Sequence, residues 1–170
     1  LPETHVATLQ RLSRENTGWR WVTPENMHLT LAFLGDVGMV QASELDETLS
    51  LTMFDRLEVT LSGFGHFGRD TPRALWLKAS PHGELEHLSK TVLRHARNAG
   101  IRTEKRKFVP HVTLARMKAA ATPDSVARFI EANARFALPP FTPDAITLFR
   151  SHLKPEGPRY EVLADYPFSG

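Results

Sequence analysis

The chain of 170 residues contains no cysteine. Disulfide bonds, thiolate zinc sites and a cysteine nucleophile are therefore all excluded. The chain also lacks an apolar run of about 18 residues, the length that a membrane helix needs. Its first residues, Leu1 to Thr4, do not have the charged and apolar regions of a secretory signal. We therefore expect a cytoplasmic protein that makes no contact with a membrane.

An excess of charge of one sign is lacking too. Lys and Arg number 21 against 19 Asp and Glu, which leaves a net charge of +2. So small an excess does not by itself indicate nucleic-acid binding. Four cations do lie together between Ile101 and Lys107. This segment either attracts an anionic substrate or is an ordinary solvated loop.

Hydrophobic residues make up 41% of the chain, so its core is large enough for folding without a metal or a crosslink. Apolar periodicity predicts interspersed helices and strands, and pairs of strands have connections too short for parallel crossovers. This pattern favours an α+β fold with antiparallel sheets. Two prolines, Pro139 and Pro140, are expected to interrupt the chain. The predicted helices cover residues 3–15, 40–51, 83–98 and 123–134, and the predicted strands cover residues 19–22, 27–34, 57–61, 73–78, 108–116, 145–149 and 160–163.

Two of the predicted strands carry a His-x-Thr motif, one in each half of the chain. Side chains two residues apart in a strand share a face, so His28 lies beside Thr30 and His111 lies beside Thr113. Two imidazoles, which titrate near about pH 6.5, can act together as one acid and one base. A threonine hydroxyl can donate a hydrogen bond to a phosphate oxygen. Because chance alone produces such motifs, their apolar setting matters more, since polar side chains there need partners or a wet cleft.

The two strands resemble the signature strands of the 2H phosphoesterase superfamily, and most closely those of its RNA 2',3'-cyclic phosphodiesterase branch, also called 2'-5' RNA ligase. The matching segments are NMHLTLAFLG at residues 26–35 and FVPHVTLAR at residues 108–116. The resemblance covers nearly the whole chain. It implies one domain over residues 1–170 with two lobes related by a pseudo-twofold axis. Each lobe would have an antiparallel sheet and flanking helices, and each would turn one motif into a central cleft.

The resemblance also implies a substrate, an RNA end or nucleotide with a 2',3'-cyclic phosphate, and its hydrolysis to a 2'-phosphate without metal or other cofactor. We assign His111 as the base that activates water and His28 as the acid that protonates the departing 3' oxygen, although these roles can be swapped. Thr30 and Thr113 would hold the non-bridging phosphate oxygens. Arg116 matches the arginine that approaches the nucleobase in this family. Family members usually begin with a strand that often carries a base-stacking aromatic residue, and we expect this strand to be absent here.

Other signals have structural interpretations. Residues 63–68 fit the dinucleotide-binding fingerprint, but a strand follows where a helix is required, so we predict a turn region. A metal site is not expected, since the sequence has no His-Glu-x-x-His pattern. We expect the remaining histidines at the surface and the tryptophans in the core: His5, His66, His82, His87, His95 and His152, and Trp19, Trp21 and Trp76.

Two alternative functions stay open. The same residues would serve a reversible 2'-5' RNA ligase or a phosphodiesterase for other cyclic or 2'-5' linked nucleotides. Outside enzymes, the chain would be an RNA-binding module whose two histidines only contact phosphate. In each case we expect a monomer.

Overall fold

The structure, a computed structural model, describes residues 1–14, 19–68, 70–104, 106–117, 122–154 and 157–169. The chain forms two compact units, and each unit contains one sheet and two helices in the described residues. This confirms the α+β class, whereas the pseudo-twofold axis and the cleft stay predictions. Unit 1 consists of Leu1–Leu29, Val59–Ser80 and Pro110–Phe141, and unit 2 of Thr30–Glu58, Pro81–Val109 and Thr142–Gly170.

Helices and strands are interspersed as predicted. The elements in chain order are α1 (Glu3–Arg14), β1 (Arg20–Trp21), α2 (Met39–Ser50), β2 (Phe54–Asp55), β3 (Val59–Phe67), β4 (Ala74–Ser80), α3 (His82–Asn98), β5 (His111–Arg116), α4 (Pro123–Ala132), β6 (Ala137–Phe141), β7 (Ala145–Lys154) and β8 (Gly157–Ser169). The four predicted helices and six of the seven predicted strands are confirmed. Helix α3 is followed by Gly100 in the left-handed conformation predicted for it, with φ of 75°.

Unit 1 contains a five-stranded sheet in the order β1-β5-β4-β3-β6, with all neighbours antiparallel. One face of this sheet is the core of the unit, where Leu75, Leu77 and Val112 are fully buried. Burial of each such side chain contributes about 1.5–3 kcal/mol. Helix α4 packs against this face through Phe129, whose ring lies 6.3 Å from that of Trp21. Trp21 is half-buried, so its predicted core position is confirmed only in part.

Strand β6 contains the two prolines that were expected to interrupt the chain. It lies at the edge of the sheet, and among the described strands it pairs with β3 alone, so a missing N–H is tolerated on its other side. The carbonyl of Pro139 accepts a hydrogen bond from Nε2 of His5 at 2.7 Å. His5 is 4% exposed, so its predicted surface position is wrong, and it links α1 to this edge strand instead.

The predicted strand over residues 27–34 is wrong. Only Leu29 of this segment pairs with a strand, through an isolated antiparallel bridge to Val112 on β5. Strand β1 pairs with the same edge of β5, nearer the C-terminal end of β5. A 3-10 turn over Pro24–Asn26 lies between β1 and the bridge at Leu29. Proline has no N–H and a fixed φ, so the chain leaves the edge of β5 at this turn and returns at Leu29.

The glycine-rich segment over residues 63–68 mostly lies in β3, so the predicted turn region is wrong. Gly63 has a φ of 74° and lies at a register shift between β3 and β4. Glycine adopts this conformation without strain, which lets the strand continue through a bulge. The next element after β3 is β4, as expected, so the dinucleotide fingerprint has no helix to open.

Unit 2 contains a three-stranded sheet in the order β2-β8-β7, in which β2 and β8 are parallel and β7 and β8 are antiparallel. Helices α2 and α3 supply much of its core, and Tyr166 donates a hydrogen bond to Asp46 at 2.7 Å. His95, predicted at the surface, is half-buried with Nε2 3.3 Å from the hydroxyl of Thr52. Burial lowers the pKa of His95 below its ordinary value.

The basic segment 101–107 also belongs to unit 2. Arg102, Arg106 and Lys107 are exposed, whereas Lys105 lies outside the described residues. Among the helices that the structure describes, none combines the length and the apolarity needed to cross a membrane.

Candidate active site

Both histidines of the His-x-Thr motifs lie in unit 1. His111 begins β5, and His28 precedes Leu29, which bridges to Val112. Opposite residues of an antiparallel pair point to the same face, and their neighbours point to the other. Since Val112 faces the core, His28, His111 and Thr113 share the opposite face of the sheet, which we call the site face. The resemblance implied one motif from each lobe. The boundary between the two units passes through the first motif, with His28 in unit 1 and Thr30 in unit 2, whereas the second motif lies wholly in unit 1, so this expectation stays a prediction.

The ring of His28 is held by a backbone hydrogen bond. Its Nδ1 lies 2.8 Å from the carbonyl oxygen of Asn26, which can only accept, so Nδ1 carries a proton. The other nitrogen, Nε2, is then the atom that gains or loses a proton. Burial lowers the pKa of His28 below its ordinary value of 6.5, and the charge of His111 lowers it further, while the Asn26 carbonyl opposes both. The two imidazoles are therefore close enough to interact electrostatically.

Aromatic rings surround His111. The ring of Phe67 lies 4.9 Å from the imidazole at an angle of 84°, and the indole of Trp76 lies 6.0 Å from it. The indole covers Gly65 on the neighbouring strand so closely that a Cβ there would collide with it. Lys78 is the partner of His111 across β4 and β5, and it is exposed. His111 thus has an apolar wall on one side and a cation on the adjacent strand.

The threonines differ in their positions. Thr113 is half-buried on the site face and is the partner of Trp76 across β4 and β5. Its hydroxyl therefore lies on the face that carries both imidazoles. Thr30 is exposed and is the first residue of unit 2. The structure thus places Thr113 with the histidines, and the role of Thr30 stays a prediction.

Arg116 ends β5 on the site face because of a bulge. Trp76 pairs with Thr113, but Leu75 pairs with Ala115, so one extra residue of β5 is accommodated between these pairs. Without this shift, side chains three residues apart in a strand would point to opposite faces. The bulge turns two successive residues towards the core and returns Arg116 to the face of Thr113, where it is exposed.

The chain is similar to known proteins over most of its length. The model of the family described as the 2'-5' RNA ligase superfamily matches residues 1–155. The chain belongs to this superfamily. A Thermotoga maritima protein named RNA 2',3'-cyclic phosphodiesterase is 35% identical over 95% of this chain and 86% of its own length. An Aeropyrum pernix protein of the same name is also 35% identical, over 93% of both chains.

Solved structures agree with this membership. The crystal structure of TT0787 from Thermus thermophilus has a TM-score of 0.75 and 30% identity, and the match covers 99% of this chain and 93% of that one. Escherichia coli LigT, crystallised with 3'-AMP, has a TM-score of 0.78 at 24% identity, with coverage of 100% and 94%. At that identity LigT supports the fold alone. The resemblance found in the sequence is therefore confirmed for this superfamily member.

The sequence interpretation missed two residues that lie beside His111 on the site face. Trp76 was predicted as core but is half-buried on the site face, and Lys78 was not singled out. The alternation in RALWLK at residues 73–78 contains the signal, because Leu75 and Leu77 on one face leave Trp76 and Lys78 on the other. The signal is missed when tryptophan is assumed to be buried wherever a strand is predicted.

The electrostatic interaction between the two histidines gives a first prediction for this superfamily member. In the His111→Gln variant, the pKa of His28 is expected to rise towards 6.5, because the charge that lowers it has been removed. The pKa should stay below 6.5, since burial still disfavours the charged ring. NMR titration of the His28 ring measures both values, with His66→Gln as control because His66 is exposed and pairs with core-facing Leu75. An unchanged pKa in His111→Gln would contradict the interaction.

Proposed function

We propose that this protein hydrolyses RNA or nucleoside 2',3'-cyclic phosphates to 2'-phosphates by acid–base catalysis with two histidines. The observation that carries the proposal is the site face, where His28, His111 and Thr113 lie together and His111 affects the pKa of His28. The relatives from Thermotoga maritima and Aeropyrum pernix, both named RNA 2',3'-cyclic phosphodiesterase, support the same reaction.

The proposed reaction is an in-line displacement at phosphorus. His111 takes a proton from water as the water oxygen bonds to phosphorus, and the bond from phosphorus to the 3' oxygen breaks. His28 gives the proton on Nε2 to that oxygen, while the Asn26 carbonyl keeps the Nδ1 proton in place. Because its pKa is lowered, protonated His28 is a stronger acid than an ordinary imidazole. The negative charge of bound phosphate raises this pKa again, so that His28 is protonated when the substrate is bound.

Threonine hydroxyls would stabilise the phosphate oxygens on which charge accumulates. Thr113 donates from the site face, two residues beyond His111. Thr30 would donate in the same way from its position two residues beyond His28. Arg116 would contact the nucleotide beyond the reacting phosphate.

The reverse assignment of acid and base has one observation in its favour. A lowered pKa keeps His28 neutral near pH 7, and the neutral ring with an unprotonated Nε2 is the form that a base requires. His111 would then be the acid. The two assignments differ in which histidine protonates the leaving oxygen. Activity on a substrate with a better leaving group distinguishes them, because such a group needs no protonation.

The products and metal requirement test the proposal directly. We expect a cyclic nucleotide to give only the 2'-phosphate, because the 3' oxygen departs, and we expect full activity in excess chelator. No group of three or more His, Cys, Asp or Glu side chains among the described residues is suited to hold a metal ion. End-group analysis by chromatography measures the product, with a parallel preparation of His28→Ala to exclude contaminating nucleases. A 3'-phosphate product would mean that the 2' oxygen, and not the 3' oxygen, is the leaving group. Loss of activity in chelator would refute the metal-free mechanism.

The superfamily name favours one second candidate, a reversible 2'-5' RNA ligase. A 5' hydroxyl of RNA would replace water as the attacking group, and the same histidines would act. Competition between RNA ends and small cyclic nucleotides, with 5'-hydroxyl RNA added, distinguishes ligation from hydrolysis. The non-catalytic RNA-binding module instead predicts no turnover by the parent protein. A monomer in the cytoplasm stays our prediction.

A further inference from the structure

The indole of Trp76 lies over a glycine of the neighbouring strand. Gly65 on β3 is the partner of Trp76, and the six-membered ring of the indole occupies the space that a side chain at residue 65 would need. The φ of Gly65 is not positive, so its backbone conformation is open to any residue. The close approach of the indole is therefore what requires glycine at this position.

Trp76 and Phe67 together bound the imidazole of His111. The indole lies 6.0 Å from the imidazole and 5.5 Å from the ring of Phe67, which lies 4.9 Å from the imidazole at 84°. Across β4 and β5, Trp76 is directly opposite Thr113 and diagonal to His111, a separation that aromatic side chains can span. The indole thus contacts Gly65 on one neighbouring strand and the imidazole on the other.

A buried donor without a partner distinguishes the indole from ordinary packing. Nε1 of Trp76 is buried and has no hydrogen-bond partner among the described residues. A buried, unpaired N–H lowers the stability of the fold, and phenylalanine offers an aromatic ring without this donor. Active sites commonly retain side chains that reduce stability. The unpaired N–H therefore favours a functional role for the indole over a purely structural one.

We propose that Trp76 is a positioning residue for His111. Gly65 provides the space in which the indole lies, and the indole, together with Phe67, limits the rotation of the imidazole so that one ring nitrogen stays directed at the substrate. A group that transfers a proton must be held by neighbours whose own side chains are fixed by packing. The proposal rests on the proposed function, because it concerns the proton transfer by His111.

The first test places Trp76→Leu in the parent protein and in the His111→Ala variant. In the parent, kcat on a cyclic phosphate should fall about tenfold, because a displacement of about 1 Å can cost up to about 10² in rate. KM should change far less, since the indole orients the imidazole and does not hold the phosphate. In His111→Ala, the same substitution should cause almost no further loss, because no imidazole is left to position. Similar losses in both backgrounds would overturn the proposal.

The second test, Gly65→Ala, asks whether the place of the indole matters. The added methyl group must displace the indole from β3, so kcat should again fall about tenfold. In the Trp76→Leu background, Gly65→Ala should be nearly neutral, because no large ring lies over residue 65. Equal losses in both backgrounds would mean that Gly65 acts independently of the indole, and this too would overturn the proposal.

Trp19→Leu is the matched control, because it removes an indole of the same unit that packs against Phe129 at 5.0 Å. It should lower the unfolding temperature and leave the kcat of the folded protein nearly unchanged. Trp76→Phe, which removes the unpaired donor, should unfold close to the parent and still lose kcat, and it serves if Trp76→Leu does not fold. An equal loss of kcat in Trp19→Leu would contradict a specific role for Trp76.

An NMR measurement separates this proposal from the proposed function. Relaxation of the His111 ring should show faster motion in Trp76→Leu than in the parent, because the indole no longer limits its rotation. Unchanged ring motion would overturn the positioning role even if both proteins are active. If the parent hydrolyses no cyclic phosphate, the proposed function fails, and ring motion still decides whether Trp76 positions His111.

Discussion

The His111→Ala variant is expected to hydrolyse a 2',3'-cyclic phosphate at least ~10² more slowly than the parent protein, because one acid or base role is worth ~10²–10⁴ in rate. The loss should be in kcat, since the imidazole acts on the proton transferred in the transition state. Thr113 and the rest of the site face still bind the phosphate, so KM should change far less. Steady-state kinetics on a cyclic mononucleotide measures both constants.

A matched control separates lost chemistry from lost structure. His66 lies on β3 in the same unit and is exposed, and its partner Leu75 faces the core. His66→Ala should therefore keep nearly full activity. Thermal unfolding of His111→Ala should stay close to that of the parent, because the imidazole is half-buried and leaves no large apolar cavity. Activity of His111→Ala within a few-fold of the parent would refute the role of this histidine.

The sequence predicted which residues lie together on the site face better than it predicted their local structure. His28, His111 and Thr113 belong to short motifs with apolar neighbours, and alternation along β5 correctly predicts that His111 and Thr113 share a face. The apolar run after His28 also reads as a strand, yet only Leu29 forms a bridge. Whether an apolar segment pairs depends on how the chain enters the edge of the sheet, and the turn beginning at Pro24 decides this.

The bulge in β5 shows a second limit of sequence interpretation. Leu114 and Ala115 are successive buried residues, which breaks the alternation of the strand. From sequence alone, this pair is equally consistent with the end of a strand. Only the pairing with Leu75 and Trp76 on β4 shows that the strand continues and that Arg116 returns to the site face.

A substrate with a better leaving group is expected to separate the acid from the base. In a 3'-deoxynucleoside 2'-(p-nitrophenyl phosphate), the aryl oxygen replaces the 3' oxygen as leaving group and departs as a stable anion. Protonation by an acid then contributes little, whereas water still needs a base. If His28 is the acid, His28→Ala should lose at least ~10² in kcat on the cyclic phosphate and much less on the aryl ester. His111→Ala should lose at least ~10² on both.

Release of p-nitrophenolate measures turnover directly, and the parent enzyme on each substrate provides the reference rates. In the opposite pattern, His111→Ala keeps the rate on the aryl ester. This result would make His111 the acid and His28 the base, a role that fits the lowered pKa of His28. Equal losses by both variants on both substrates would contradict an acid acting on the leaving oxygen. The comparison is decisive because the Asn26 carbonyl fixes Nδ1, so His28 has only Nε2 with which to give or take a proton. A ring held in this way performs one proton transfer in the hydrolytic step, and the leaving group reveals which one.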